Sequence, residues 1–247
     1  MKRNLRIAAA VVAVALLVFA SVFVVWASDA LAADETAVQA LNSTSQVFVS
    51  SENGWVVFHP AENLRPETGF IFYPGGKVDY RAYAPVLALI AEQGYFVVVA
   101  PMPLNLAFFD INAAARIQAA YPEVKNWFVG GHSLGGVAAS SYAASHADIR
   151  GVVFWASYPA DDSLLKMGTP AISIYGTNDG LATGDKLQAS KALLPADTQF
   201  VPIEGGNHAQ FGSYGLQDGD NAASISPEAQ WTQAADATTV FFTKVLK

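Results

Sequence analysis

The stretch Gly130-Gly131-His132-Ser133-Leu134-Gly135-Gly136 decides how this chain is read. It lies between the apolar, β-favouring run Trp127-Phe128-Val129 and a helical pattern from Leu134 to His146. Within it, Gly131-x-Ser133-x-Gly135 places residues without side chains two positions before and after a serine. A serine on a sharp strand-to-helix turn needs such neighbours, because the backbone folds tightly around it. The turn lifts the hydroxyl clear of the sheet and aims the positive N-terminal end of the next helix at a reacting carbonyl. The plain alternative is a glycine-rich turn in which Ser133 only caps the helix. The strand–helix setting separates the two readings.

Working outward, the chain alternates short apolar runs with helical patterns. Upstream, Val47-Phe48-Val49 and Trp55-Val56-Val57-Phe58 read as a hairpin turned by Glu52-Asn53-Gly54. Gly69 to Tyr73 is a strand closed by Pro74-Gly75-Gly76, and Tyr83 to Gln93 is a helix ending at Gly94. Tyr95 to Ala100 is a buried strand, and Ile111 to Ala120 a helix. Downstream come strands at Val152–Trp155 and Ala171–Tyr175, a helix over Lys186–Leu194, a strand at Gln199–Ile203 and a closing helix over Ala229–Leu246. An antiparallel pair followed by repeated strand–helix units predicts an α/β fold. Its central β-sheet is mostly parallel, with an N-terminal antiparallel hairpin and helices on both faces. Ligands bind such sheets beyond the carboxyl ends of the strands, so the residues just after each strand carry the chemistry.

A serine hydroxyl is a poor nucleophile until a base takes its proton, and the chain has only four histidines. His132 adjoins the serine, where its side chain is expected to point away from the site. His146 ends the helix, and His59, before Pro60, reads as a turn residue. His208, in Glu204-Gly205-Gly206-Asn207-His208, follows the last strand and is the candidate base. Its acidic partner is expected to be Asp179, in Gly176-Thr177-Asn178-Asp179-Gly180 just past the preceding strand; Asp185 and Glu204 stand in reserve. The plain alternative for Asp179 is turn chemistry, but its position and the chain order Ser133, Asp179, His208 favour the catalytic role. For the developing oxyanion, one donor is the N–H of Leu134. The second is expected from Pro74-Gly75-Gly76-Lys77, with Gly76 preferred and Gly75 open.

At the far N-terminus, Ile7 to Ala27 holds one polar side chain, Ser21, in 21 positions, and Lys2, Arg3 and Arg6 precede it. As a helix it reaches roughly 31 Å, the thickness of a bilayer's hydrocarbon core. Its length favours a retained signal anchor over a cleaved signal peptide, while Ala30-Leu31-Ala32 offers a small-x-small cleavage site, giving a secreted protein cut near Ala32. The basic flank stays inside, which puts the rest of the chain outside the cytoplasm. The division is therefore 1–33 anchor or signal peptide, 34–46 spacer and 47–247 catalytic domain. There is no cysteine, so neither disulfides nor lipid attachment through a thiol is available. Beyond the anchor, 11 basic residues face 21 acidic ones, a balance that argues against a nucleic-acid partner or an anionic membrane surface as substrate.

From Val47 onward the sequence resembles the α/β-hydrolase superfamily, and more narrowly its compact dienelactone-hydrolase-like members. The resemblance rests on Tyr73-Pro74-Gly75-Gly76, Gly131-His132-Ser133-Leu134-Gly135-Gly136, Gly176-Thr177-Asn178-Asp179-Gly180 and Gly205-Gly206-Asn207-His208. Dienelactone hydrolases use a cysteine nucleophile where this chain has Ser133, so that activity does not carry over. The resemblance implies hydrolysis of a small-molecule carboxylic ester through an acyl-enzyme, with no cofactor and no metal. A thioesterase or amidase on the same triad, or a catalytically silent surface-anchored binding module, are the alternatives. About fifteen residues separate Trp155 from Ala171, too few for a helical lid domain. Loops alone must then cover the site: the apolar Pro101–Asp110, which lines an acyl pocket or begins the next helix, the stretch Gln210–Asp220, and Ser157-Tyr158-Pro159 at the edge. Oligomeric state is not legible.

Overall fold

A computed structural model describes residues 2–61 and 66–247. One eight-stranded sheet has the order β1-β2-β4-β3-β5-β6-β7-β8, formed by β1 (Val47–Glu52), β2 (Trp55–Pro60), β3 (Thr68–Tyr73), β4 (Phe96–Val99), β5 (Asn126–His132), β6 (Ile149–Trp155), β7 (Ala171–Gly176) and β8 (Gln199–Ile203). β1–β2 and β2–β4 pair antiparallel, and every other neighbour is parallel. The hairpin turn is tight because Asn53 and Gly54 both take positive φ, 53° and 84°, the twist that suits a two-residue connection.

Side-chain alternation along the strands builds two cores. Phe70 and Phe72, Val97 and Val99, and Val153 and Trp155 point to one face, and Ile71 and Tyr73, Val98, Val152 and Phe154 to the other. The first face is covered by α3 (Ala84–Glu92) and α8 (Pro227–Val245), with Phe242 packed 4.3 Å from Phe128 and 5.3 Å from Phe70 between ring centroids. The second is covered by α4 (Ala113–Ala120) and α5 (Leu134–Ala143). Gly94, at φ 95°, ends α3, and Ser226 caps α8 by accepting from the Ala229 N–H, with Pro227 at its first position.

Three local expectations change. β5 runs through Gly130, Gly131 and His132, so the glycines are the end of the strand and not a loop after it. His59 lies inside β2, paired with Phe48 and hydrogen-bonded to Glu52 at 2.9 Å, and is not a turn residue. Pro101–Asp110 forms two 3-10 turns, with Leu104 and Asn105 at positive φ, and leads into α4 without belonging to it. The remaining helices are short: α2 (Glu35–Gln39), whose Ala37 is fully buried, lies in the stretch read as spacer, α6 (Ser163–Met167) lacked a periodic signal, and α7 (Gly184–Ser190) opens the pattern read over Lys186–Leu194.

The N-terminal helix, α1, spans Lys2–Ser28 and is exposed except for the half-buried Phe23 and the buried Ala27. It is the one helix among the described residues long and apolar enough to cross a membrane. The segment after it is part of the packed body. Leu31 forms a parallel bridge with Val78, and Asp34 donates its N–H to Ser213 O at 2.9 Å.

Candidate active site

The candidate residues all follow the carboxyl ends of parallel strands. Gly75 and Gly76 come after β3, Ser133 after β5, Asp179 after β7 and His208 after β8. Ser133 sits at φ 50°, ψ −122°, a conformation costly for any residue with a side chain. Close packing explains the flanking glycines. A Cβ on Gly131 would lie 2.5 Å from Tyr73 O, and one on Gly135 only 2.1 Å from the same atom. The turn is further held from β6: Ser133 N–H donates to Trp155 O at 3.0 Å, and Ser157 Oγ donates to Ser133 O at 2.6 Å.

His208 Nδ1 and Asp179 Oδ2 are 2.9 Å apart, and both side chains are almost completely buried. A buried carboxylate must be paired. Asp179 satisfies that need with His208 on one oxygen and, on the other, the N–H groups of Leu181 and Ala182, each at 2.7 Å. This arrangement directs the Nδ1 proton to Asp179 and leaves Nε2 as the free face of the ring. His208 Nε2 is buried with no hydrogen-bond partner among the described residues, Ser133 Oγ included. Ser133 and His208 do share a cavity of about 150 Å³, with Leu134, Val137, Ala156, Ser157, Tyr158, Leu181 and Ala182. Ser157 and Tyr158 thus edge the pocket as expected, whereas Pro101–Asp110 does not line it. Larger grooves of about 530 and 570 Å³ contain none of the candidate residues. The reserve carboxylates, Asp185 and Glu204, are exposed, and among the described residues neither bonds to a histidine.

Gly75 and Gly76 differ in one decisive respect. Gly75 N–H donates to Tyr83 Oη at 3.0 Å, which engages it inside the protein. Gly76 N–H has no such acceptor among the described residues, and a Cβ there would come 2.9 Å from Leu134 Cδ2, so its backbone lies against the start of α5.

Several residues around the site were not singled out from sequence, and one was misdirected. His132 does not point away. Its ring packs on His208 at 4.4 Å between centroids, and Tyr83 Oη lies 2.9 Å from its Nδ1. Burial first, and the neighbouring His208 second, hold the His132 imidazole well below the usual histidine range and therefore neutral. Burial also pushes the Tyr83 hydroxyl up, so it stays protonated beside His132. Gln230, fully buried in α8, accepts from Asn207 N–H at 3.0 Å and donates to Asn207 O at 2.8 Å, clamping the residue before His208. Asp220 accepts from Gly180 N–H and Ala209 N–H, tying the Asp179 and His208 loops together. Gln230 left one trace in the sequence. With Ala234 and Thr238 it falls on the buried stripe of an otherwise amphipathic helix. Among the described residues, no group of three or more His, Asp or Glu is placed to hold a metal ion.

A family model described as "Alpha/beta hydrolase family" matches residues 69–232. The chain belongs to the alpha/beta hydrolase family. The match reaches the family at large and does not single out the dienelactone-hydrolase-like group. Among solved structures, the chain is similar to an esterase domain from a Rhodothermus marinus protein (TM-score 0.60, 14% identity, covering 81% of this chain and 98% of that one). It is also similar to Est1E from Butyrivibrio proteoclasticus (TM-score 0.57, 15% identity, 81% and 100%). A bacterial membrane phospholipase A is similar over 100% of both chains (TM-score 0.59, 14% identity). At such identities the likeness is one of fold. No curated protein matches the sequence. Membership of this family makes the chain a hydrolase by family.

Proposed function

We propose that the chain hydrolyses carboxylic esters with Ser133 as nucleophile, His208 as general base and acid, and Asp179 as the group that orients and stabilises the imidazolium. The observation that carries this reading is the buried His208–Asp179 pair, 2.9 Å apart, whose free imidazole face shares a cavity with the strained Ser133. Ser133 Oγ attacks the ester carbonyl while His208 Nε2 takes its proton. The oxyanion accepts from the N–H groups of Leu134 and Gly76; the engagement of Gly75 with Tyr83 favours Gly76 as the second donor. Collapse expels the alcohol, protonated by His208, and leaves an acyl-serine. Water deprotonated by His208 then releases the acid and restores Ser133. Nothing in this sequence of steps calls for a cofactor.

α1 serves in this reading as a retained signal anchor, with residues 29–247 outside the cytoplasm. Its 27-residue length, the basic residues at its start and its exposure along almost the whole length support that role. A panel of matched short-chain p-nitrophenyl ester, thioester and anilide substrates tests the reaction. Ester turnover should dominate, and Ser133→Ala should reduce it about 10⁶-fold. Turnover that survives in Ser133→Ala, or preference for the thioester or anilide, would overturn the assignment.

A further inference from the structure

The outer end of α1 is built into the rim of the site. Only Asp29 and Ala30 separate Ser28 from Leu31, whose N–H donates to Lys77 O at 2.7 Å and whose C=O accepts from Asp79 N–H at 2.9 Å. An extended chain advances at most about 3.6 Å per residue, so the helix ends within roughly 11 Å of the loop carrying Gly76. The same end is held from the other side by Asn105. Its Nδ2 donates to Ala27 O at 3.3 Å, and its carbonyl accepts from Lys77 N–H at 2.8 Å. Lys77 Nζ in turn lies 4.6 Å over the ring of Trp26.

Depth follows from helix geometry. The apolar run Ile7–Ala27 matches the hydrocarbon thickness at about 1.5 Å per residue, which puts Trp26 at the outer boundary, where indole rings concentrate. Phe23 lies about 4.5 Å further in, three residues earlier. Phe109, from the loop beside the site, packs edge-on against Phe23 at 6.2 Å between centroids and is thereby drawn to that depth. Phe109 and its neighbour Phe108 are nonetheless 54% and 47% exposed. An exposed phenylalanine at bilayer depth beside a membrane helix, with a second exposed one next to it in sequence, makes a surface for lipid, not for water.

We propose that the Pro103–Asp110 rim rests in the outer interface of the bilayer that α1 crosses, and that the site takes its substrate, a lipid carboxylic ester, from that leaflet. The inference rests on the anchor and hydrolase readings above. The acidic surplus of the outer part favours a zwitterionic headgroup over an anionic one. Ser133 Oγ forms the bond to the fatty-acyl carbonyl carbon, the bond to the glycerol oxygen breaks, and the alcohol leaves with the proton from His208. Water then frees the fatty acid. A cavity of about 150 Å³ holds the ester and a few carbons, so the remainder of a long chain stays outside it.

The absence of cysteine makes the test clean. Phe108→Cys and Phe48→Cys, the latter exposed at the opposite end of the sheet, each create a single position for an environment-sensitive fluorophore. In the full chain reconstituted into phosphatidylcholine vesicles, the label at 108 should shift to shorter wavelength and be quenched by spin-labelled lipid, while the label at 48 should report water. Water-like emission at both positions overturns the seating of the rim. Phe108→Asp should then lower hydrolysis of phosphatidylcholine in the vesicles about tenfold, leaving a soluble short-chain ester unaffected. Equal loss on both substrates, or on neither, overturns the substrate assignment. If the unsubstituted chain cleaves neither ester, the hydrolase reading fails, while a lipid-quenched label at 108 still upholds the seating.

Discussion

At Ser133 the backbone is held at φ 50°, ψ −122°, and a residue with a Cβ maintains that geometry at a cost of about 1–3 kcal/mol. Ser133→Gly should therefore abolish ester turnover while raising thermal stability by about 1 kcal/mol, read in a thermal melt. A fall in stability would show that the serine side chain is a structural cap. His132 carries a second residue-scale prediction. Because its folded pKa lies well below the ordinary value, the unfolded chain binds the extra proton. Its contribution is fully present above about pH 6.5 and is lost as pH falls through that value toward the folded pKa, at up to about 1.4 kcal/mol per pH unit. His132→Asn, which keeps an acceptor for Tyr83, should flatten the decline in melting temperature between neutral and mildly acidic pH. An unchanged slope would contradict this. That Ser133, Asp179 and His208 each stand just past a strand was legible, because the apolar runs before them were readable. The direction of His132 was not. Strand parity correctly sends its ring to the face opposite α5, but only the fold shows the His208 loop coming over that face.

The elements place the chemistry through their ends, and a single amide governs one of those ends. Gln230→Leu would leave the Asn207 N–H and C=O without partners in a buried environment, at about 1–3 kcal/mol each. The expected result is a loss of stability of that order together with a fall in kcat on the order of 10²-fold, since the loop that carries His208 loses its register. A loss of stability with kcat unchanged would reduce Gln230 to a structural role. Short continuous apolar runs rich in aromatic and β-branched residues, Phe70–Tyr73 and Phe96–Val99, made the strands readable, and Gly94 marked a helix end. The short helix Ser163–Met167 and the 3-10 turns at 103–110 were not readable. Segments of three to five residues are too short to display a period, and the positive φ at Leu104 and Asn105 has no glycine to announce it.

For the whole molecule, α1 and the hydrolase body meet at the loop that carries Gly76, so the proposed anchor and the proposed oxyanion loop share one wall. The apolar length of α1 was plain in the sequence. The docking of residues 29–34 against Lys77, Val78 and Ser213 was not, because it consists of backbone bonds that leave no composition signal. Membrane fractions bearing the full chain should retain it through alkaline carbonate extraction, and release into the supernatant would show that α1 is cleaved or peripheral. The central claim, an activated serine at position 133, is met most directly by fluorophosphonate labelling of the full chain followed by peptide mapping. The account predicts a single adduct on Ser133, with no label incorporated by Ser133→Ala. A folded protein that takes up no label, or takes it up at another residue, would contradict it.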